Sequence, residues 1–132
     1  LIQGGIQIHC LRDLTRGGLA SAIDEIARGA RCQIELEEEA IPLDPVVRSA
    51  CELLGLDPLA MANEGRMVVL CAAAEAEAAV ERLRRVHPSA CRIGTVKTCP
   101  DEFSRYPVSL RNSLGVLRPL DVGRGEQLPR IC

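Results

Sequence analysis

Residues 13–29 have the sequence DLTRGGLASAIDEIARG, which predicts a tight turn followed by an amphipathic helix. The glycine pair suits the turn, and Gly29 is the expected end of the helix. Apolar side chains recur in the helix with a period of about 3.6 residues, as one buried face requires, at Leu19, Ala22, Ile23, Ile26 and Ala27. Before the turn, residues 6–9 alternate between apolar and polar side chains, so a short strand leads into it.

The rest of the chain continues this alternation of strands and helices. Residues 32–37 predict a half-buried strand, and the apolar run 67–71 predicts a central strand covered on both faces. Asp44 and Pro45 predict the cap and first turn of a second helix that ends at Gly55. We expect its apolar face at Val47, Ala50, Cys51 and Leu54, a third helix over 75–86, a strand over 91–96 and a hairpin over 106–120. This order predicts an α+β or α/β sandwich, with helices packed on a mixed sheet.

The composition excludes several classes of protein. The chain has 132 residues, the size of one domain, with 47% hydrophobic and 26% charged residues. It contains one Tyr, one Phe and no Trp, so it lacks aromatic platforms for stacking bases. A net charge of −2 offers no basic surface to nucleic acid. The longest apolar run, 67–74, is far shorter than the roughly 20 residues of a membrane helix. We therefore expect neither a nucleic-acid nor a membrane partner.

Seven cysteines lie at positions 10, 32, 51, 71, 91, 99 and 132. No two are adjacent enough for the paired spacing of a zinc site, so we expect no metal site in this chain itself. Reduced thiols, several of them buried, are typical of the cytoplasm, which is the expected location. Cys132 differs from the other six because it is the last residue, where no core requires it.

The first candidate site is the turn that contains Asp13, Thr15, Arg16, Gly17 and Gly18. Backbone N–H groups at the start of a helix, together with a guanidinium group, suit an anion such as phosphate. Glycine pairs also occur simply because a strand must turn tightly into a helix. Both interpretations of the turn stay open on the residues alone.

The second candidate is the segment Ala62-Asn63-Glu64-Gly65, just before the apolar run. A carboxylate at the mouth of a strand, in apolar surroundings, can act as a general base. The alternative is a Glu that only caps a turn, and spacing favours that alternative. His9, at the end of the first predicted strand near the glycine-rich turn, is similarly either catalytic or structural.

The third candidate is the C-terminal segment GRGEQLPRIC, residues 123–132, which we expect to be a mobile tail after a folded domain of residues 1–122. A thiol on the last residue of such a tail can enter the active site of another protein. Arg130 next to it favours the nucleophilic thiolate, and Pro129 helps to position it. The alternative is an exposed tail with an accidental cysteine.

Taken together, these motifs resemble the HypE family of hydrogenase maturation factors. Residues 13–18 are similar to its D-P-T-R-G-G motif, and residues 54–59 with 62–65 are similar to its L-G-[IL]-D-P-L…A-N-E-G segment. Residues 93–96 resemble its I-G-x-V strand, and 125–132 resemble its G-x-x-[LF]-P-R-[IY]-C ending. The resemblance spans nearly the whole chain and implies a PurM-like C-terminal domain.

The resemblance implies an enzyme, a carbamoyl dehydratase, with Cys132 as the carrier. A carbamoyl group on its thiol is dehydrated with ATP to a thiocyanate, which supplies the cyanide ligands of the iron in [NiFe]-hydrogenases. Glu64 is then the expected base and His9 a supporting catalytic residue. The residues expected to face the nucleotide are Asp13, Thr15, Arg16, Gly17 and Gly18, and those expected to position the tail or the base are Asn63, Pro129 and Arg130.

The resemblance also implies cofactors and partners. ATP and Mg²⁺ are expected, bound mostly by an N-terminal domain of the family that this chain lacks. The expected partners are the carbamoyltransferase HypF and the HypC–HypD complex, and the full-length protein is expected to be a homodimer. Leu14 replaces the proline of the family motif, which relaxes the turn.

Two other functions stay open. The chain begins at Leu1 without an initiator methionine, so we expect a fragment that is inactive by itself as a dehydratase. No G-x-x-x-x-G-K-[ST] phosphate loop occurs in it. It is therefore alternatively a thiol-bearing acceptor domain without catalysis of its own, or a domain of another PurM-like ATP-dependent synthetase.

Overall fold

The computed structural model describes residues 1–98 and 105–122. These residues form three helices and six strands that alternate along most of the chain. The helices are α1 (Gly18–Ala30), α2 (Pro45–Leu54) and α3 (Ala76–Arg84). The strands are β1 (Ile8–Leu14), β2 (Gln33–Glu37), β3 (Asn63–Cys71), β4 (Gly94–Lys97), β5 (Val108–Arg111) and β6 (Leu117–Pro119). The predicted mixed α+β fold is confirmed.

The strands form two sheets. β1 and β3 pair as an antiparallel two-stranded ribbon. The second sheet has the order β4-β2-β5-β6, in which β2 and β5 are parallel and the outer pairs are antiparallel. α1 connects the two sheets, because it follows β1 directly and precedes β2. Its buried face packs on the inner face of the four-stranded sheet, in a core that includes Ile23, Leu36, Val108 and Leu110.

α1 follows its predicted pattern except at its end. Leu19, Ala22, Ile23 and Ala27 are buried, as the periodicity predicts. The helix does not stop at Gly29 but continues to Ala30, and Arg31 adopts the left-handed conformation that ends it. The backbone N–H of Arg31 donates to the carbonyls of Ala27 and Arg28, which satisfies the last turn without a glycine.

The ribbon differs from its prediction in two ways. β1 begins and ends later than the predicted strand 6–9, so Asp13 lies within the strand rather than in the turn. The run 67–71 is part of β3 but not a central strand, since β3 pairs only with β1 among the described residues. Met67 is accordingly 59% exposed. A continuous apolar run gives no information about how many neighbours a strand finds in the tertiary fold.

α2 has the predicted ends but not the predicted buried face. The Asp44 side chain accepts a hydrogen bond from the backbone N–H of Val46 (2.8 Å), and Gly55 closes the helix in the left-handed conformation. Of the expected apolar face, Cys51 is buried, whereas Leu54 is 67% exposed. α2 packs mainly against the short turn Pro58–Ala60, which is too small to cover a whole helix face.

The remaining elements lie where the sequence predicts them but differ in their ends, since the strand predicted over 91–96 is β4 at Gly94–Lys97. α3 is shorter than predicted, and the exposed Glu81 and Arg85 lie 3.6 Å apart, one helical turn from each other. The predicted hairpin is confirmed as β5 and β6, whose turn is fixed by the Asn112 side chain accepting from two backbone N–H groups. Within residues 1–98 and 105–122, no helix combines the length and apolar character needed to cross a membrane.

Candidate active site

The pairing of β1 with β3 brings together two of the predicted site segments, residues 13–18 and residues 62–65. Asp13 is opposite Met67 in the ladder, but the next residue, Leu14, is opposite Asn63. The three residues between the two partners, 64–66, therefore have no partners in β1 and form a bulge. Gly65 has a φ of 78°, a conformation that side chains other than glycine rarely adopt. The bulge places Glu64 beside the strand end that leads into the glycine-rich turn.

Gly18 packs the start of α1 against the loop that precedes β3. A Cβ atom at this position would lie 2.3 Å from the carbonyl oxygen of Met61 and 2.6 Å from that of Leu59. Gly17 and Gly18 both have positive φ, 64° and 56°, which the turn from β1 into α1 requires. The glycine pair thus allows a contact between backbones that any side chain would prevent. Both interpretations of this pair, the turn and the site, are compatible with that contact.

The N-terminal end of α1 is electropositive. No acidic residue lies in its first turn, and no side chain of the described residues caps it. Arg16 is exposed and forms no ion pair with any residue in the described ranges. Thr15 is held differently, since its hydroxyl donates to the Asp13 carboxylate (3.2 Å). Free N–H groups, a helix end and an unpaired guanidinium suit a phosphate group.

Glu64 and Asn63 are exposed in the structure. The apolar surroundings predicted for Glu64 are therefore absent among the described residues. Asn63 pairs with Leu14 at the end of the ribbon and Glu64 lies in the bulge, and no element of the described residues covers either side chain. The role of Glu64 as a base stays a prediction.

His9 lies at the other end of the ribbon from the glycine-rich turn. It is exposed, and the pairing shifts around it, since Ile8 is opposite Cys71 but Cys10 is opposite Leu70. Asp13 is four residue steps along the extended strand from His9, a distance of roughly 13 Å. The predicted proximity of His9 to the turn is wrong, because β1 extends beyond it. Its catalytic role stays a prediction.

The remaining candidate residues, Pro129, Arg130 and Cys132, lie outside the described residues. The same holds for the predicted tail of residues 123–132. A metal centre finds no support among the described residues, where no three His, Cys, Asp or Glu side chains lie together.

The sequence analysis missed Arg66, which belongs to the same bulge as Glu64. Its Nη1 donates to the Ser89 hydroxyl (3.5 Å), and this oxygen lies 3.0 Å from Nδ1 of His87. The contact connects the bulge to the turn after α3. In the sequence, only its position directly after the A-N-E-G segment indicates that Arg66 belongs to the candidate site. Its contact with Ser89 joins residues more than 20 positions apart, so no local pattern predicts it.

This fold, a two-stranded ribbon and a four-stranded mixed sheet joined by α1, defines a PurM-like C-terminal domain. The chain belongs to the family described as "AIR synthase related protein, C-terminal domain", whose profile matches residues 1–106. Within it, the relatives of this chain are HypE proteins. The chain is 48% identical over 128 residues to Carbamoyl dehydratase HypE of Cupriavidus necator, covering 95% of this chain and 35% of that protein. It is 49% identical over 125 residues to Carbamoyl dehydratase HypE of Rhodobacter capsulatus, covering 95% and 36%.

Solved structures show the same relationship. The hydrogenase maturation protein HypE has a crystal structure with a TM-score of 0.85 and 43% identity, covering 96% of this chain and 40% of that one. The structure of HypE in complex with ATP has a TM-score of 0.83 at 42% identity, covering 96% and 38%. A HypE–HypF complex matches with a TM-score of 0.75 at 36% identity, covering 86% and 36%. The predicted resemblance to HypE is confirmed, and the chain spans about a third of the length of these curated relatives.

Proposed function

We propose that this chain is a domain of a carbamoyl dehydratase that acts in [NiFe]-hydrogenase maturation. In the proposed reaction, a carboxamide on the thiol of Cys132 loses the elements of water and becomes a thiocyanate. The carboxamide oxygen leaves with the phosphoryl group of ATP as inorganic phosphate, with ADP as the second product. The HypE relatives, which are named carbamoyl dehydratases, support this assignment, as does the solved HypE–ATP complex.

The observation that carries the proposal is the pairing of Leu14 with Asn63, which places the Glu64 bulge beside the start of α1. A base is needed next to the group that receives the phosphoryl group, because one N–H proton is lost as the carboxamide oxygen is phosphorylated and the second as phosphate departs. In the proposed arrangement Arg16 and the N–H groups that follow Gly17 bind phosphate oxygens. Glu64 accepts one proton from the carboxamide nitrogen in each step and releases the first to solvent before it accepts the second.

We propose that the other ligands of the nucleotide come from a part of the enzyme that this chain does not span. ATP supplies the phosphoryl group that makes the carboxamide oxygen a good leaving group. Mg²⁺ would contact the phosphate oxygens and ligands outside this chain, because the described residues bring no cluster of acids together. Asp13 is the acid of this chain nearest in sequence to the phosphate-binding turn, and its carboxylate already accepts from Thr15.

The proposed partners follow from the same reaction. A HypE–HypF complex has been solved, and we propose that HypF loads the carbamoyl group onto Cys132. The HypC–HypD complex then receives the cyano group, and a homodimer is the proposed state of the complete enzyme. The cytoplasm is the proposed location, since Cys10, Cys51, Cys71 and Cys91 are free thiols.

The test uses a chimera in which this chain replaces the matching segment of Cupriavidus necator HypE. With HypF, carbamoyl phosphate and ATP, mass spectrometry follows the modification of Cys132. We expect Glu64→Gln to accumulate the carboxamide and to form thiocyanate about 10²–10⁴-fold more slowly, the usual loss for a general base. Glu77→Gln, an exposed glutamate on α3, is the matched control and should keep the parent rate. Equal rates in the two variants would return Glu64 to a structural role.

The exposure of Glu64 favours a second candidate, a thiol-bearing acceptor domain without catalysis of its own. The chimera distinguishes the two functions. A passive acceptor takes the carbamoyl group on Cys132 and forms thiocyanate at the same rate with either residue at position 64. Whether the chain is a dehydratase domain or a passive acceptor, the Cys132→Ala variant should carry no carbamoyl group. Carbamoylation of another cysteine in this variant would contradict both functions.

A further inference from the structure

An apolar cleft of about 710 Å³ lies between the β1–β3 ribbon, α1, α3 and the β4 edge of the four-stranded sheet. Its walls include the core side chains Leu19, Ile34 and Val68 and the inner side of α3 at Ala79 and Leu83. This volume is within the range of small-molecule sites, which are mostly apolar with a few polar groups that orient the ligand. The size and lining therefore suit an organic ligand with a large apolar part.

The polar groups of the cleft carry positive charge. Among the described residues that line it, none is Asp or Glu, whereas Arg66 and Arg92 are both present and exposed. Neither guanidinium group is neutralised by a carboxylate of the described residues. Arg66 contacts the Ser89 hydroxyl (3.5 Å), and Arg92 donates to the Thr95 hydroxyl (2.7 Å). Two unpaired guanidinium groups at the edge of an apolar space complement an anionic head group.

Four cysteine side chains show that the interior of the cleft is weakly polar. Cys10, Cys32, Cys71 and Cys91 all line it, each partly buried. Burial raises the pKa of the Cys91 thiol, an effect that the positive charge of Arg84 partly offsets. The Cys91 thiol donates to the carbonyl of Ala40 (3.2 Å) and so stays protonated and packed in the wall. The rate at which these thiols are alkylated can also show whether a ligand is bound in the cleft.

We propose that this cleft binds a single-chain amphiphile with a carboxylate head group, such as a medium-chain fatty acid. The apolar chain lies along the walls formed by the ribbon and α3. The carboxylate is bound at the rim by Arg66 and Arg92, whose planar guanidinium groups match it in geometry. The proposal uses neither Glu64 nor the glycine-rich turn, although His9 and Asn63, two of the predicted site residues, also line the cleft.

The binding test uses the 132-residue chain and calorimetry with dodecanoate below its micellar concentration. We expect saturable binding of one molecule per chain. Decanoate, two methylene groups shorter, should bind about 15-fold more weakly, since each buried methylene contributes roughly fourfold to affinity. Dodecanol and dodecyltrimethylammonium have the same chain with a neutral or a positive head group. If either compound bound as tightly as dodecanoate, the proposal that Arg66 and Arg92 bind the carboxylate would be wrong.

Variants locate the head group. The double variant Arg66→Gln/Arg92→Gln should weaken dodecanoate binding at least tenfold and leave dodecanol unaffected. Arg48→Gln, on α2 and outside the lining of this cleft, is the matched control and should bind like the parent. An equal loss in the control, or no loss in the double variant, would contradict the proposal.

A second measurement needs no substitution. Dodecanoate should slow the alkylation of Cys10 and Cys71 by N-ethylmaleimide at least several-fold, as followed by peptide mass spectrometry. Cys51, which is a buried residue of α2 and does not line the cleft, is the internal control. No protection of Cys10 and Cys71 at saturating dodecanoate would show that the ligand binds elsewhere and would overturn the proposal.

Discussion

At the scale of single residues, Gly18 sets how closely the start of α1 approaches the loop before β3. Its missing side chain leaves room for two carbonyl oxygens, of Leu59 and Met61, at distances that no Cβ tolerates. The obstacle is backbone on both sides, so it cannot move aside as a flexible side chain would. This one contact holds the proposed phosphate-binding turn against the segment that leads to Glu64.

We predict that Gly18→Ala destabilises the chain by about 2–4 kcal/mol, because a left-handed conformation and a backbone clash are imposed together. Gly29→Ala is the matched control within the same helix. Its added Cβ meets open space and its φ is not positive, so it should stabilise the chain by about 0.5–1 kcal/mol. Urea denaturation measures both, and equal stabilities would show that the contact at Gly18 relaxes without cost.

Cys51 and Leu53, two apolar residues of α2, differ strongly in burial. Cys51 is 5% exposed and Leu53 is 87% exposed, although both are apolar positions of one helix. We predict that Cys51→Ser costs about 1–3 kcal/mol, because a hydroxyl replaces a buried thiol. Leu53→Glu should change stability by no more than about 0.5 kcal/mol. Thermal denaturation compares the two, and a larger loss for Leu53→Glu would mean that this side of α2 is covered in solution.

At the scale of elements, an ion pair joins the parallel strands β2 and β5. Arg111 on β5 donates to the Glu35 carboxylate on β2 through Nε (3.0 Å) and Nη2 (2.5 Å), and its Nε also lies 3.6 Å from Glu37. The hydrogen bond from Arg111 lowers the pKa of Glu35, burial opposes this, and the charges of Arg111 and Lys97 add to it. The same pair raises the pKa of Arg111.

The lowered pKa of Glu35 makes the stability depend on pH with a defined sign. The folded state favours the charged carboxylate, so the pair stabilises the chain above the ordinary Glu pKa of about 4.3. That contribution is lost as the pH falls further through the folded-state pKa. We predict that Glu35→Gln lowers Tm at pH 7 and that the difference from the parent shrinks as the pH falls below about 4.3. Glu39→Gln, exposed on the turn after β2, should show no such trend.

At the scale of the whole molecule, the chain is one part of a larger catalytic unit in the proposed function. It spans about a third of the length of its curated relatives, and its phosphate-binding turn and Glu64 are open to solvent. A nucleotide bound to this chain alone would contact one helix end and one arginine. Such a site lacks the enclosing contacts that tight nucleotide binding needs.

We therefore predict that the 132-residue chain binds ATP no more tightly than about 1 mM, equivalent to roughly −4 kcal/mol. Calorimetry with ATP and Mg²⁺ measures this directly, and the chimera with Cupriavidus necator HypE should bind more tightly. Micromolar binding to the isolated chain would contradict the proposal that most ligands of the nucleotide lie elsewhere. A complete nucleotide site would then have to be sought around Gly17 and Gly18.

The sequence by itself determined the elements whose signals are local. The periodicity of α1, the Asp44 cap and Gly55 end of α2, and the β5–β6 hairpin each depend on side chains within a few residues. The motifs around Glu64 and the glycine pair also identified the family without any structure.

Tertiary structure alone decided which of these signals meet. The pairing of Leu14 with Asn63, the exposure of Glu64 and Leu54, and the distance of His9 from the turn are all set by strand register and by which surfaces find a neighbour. Register depends on contacts between residues far apart in sequence, and a shift of one residue reverses the face of every side chain in a strand. An apolar pattern specifies a face that can be buried, whereas only the assembled fold supplies the element that buries it.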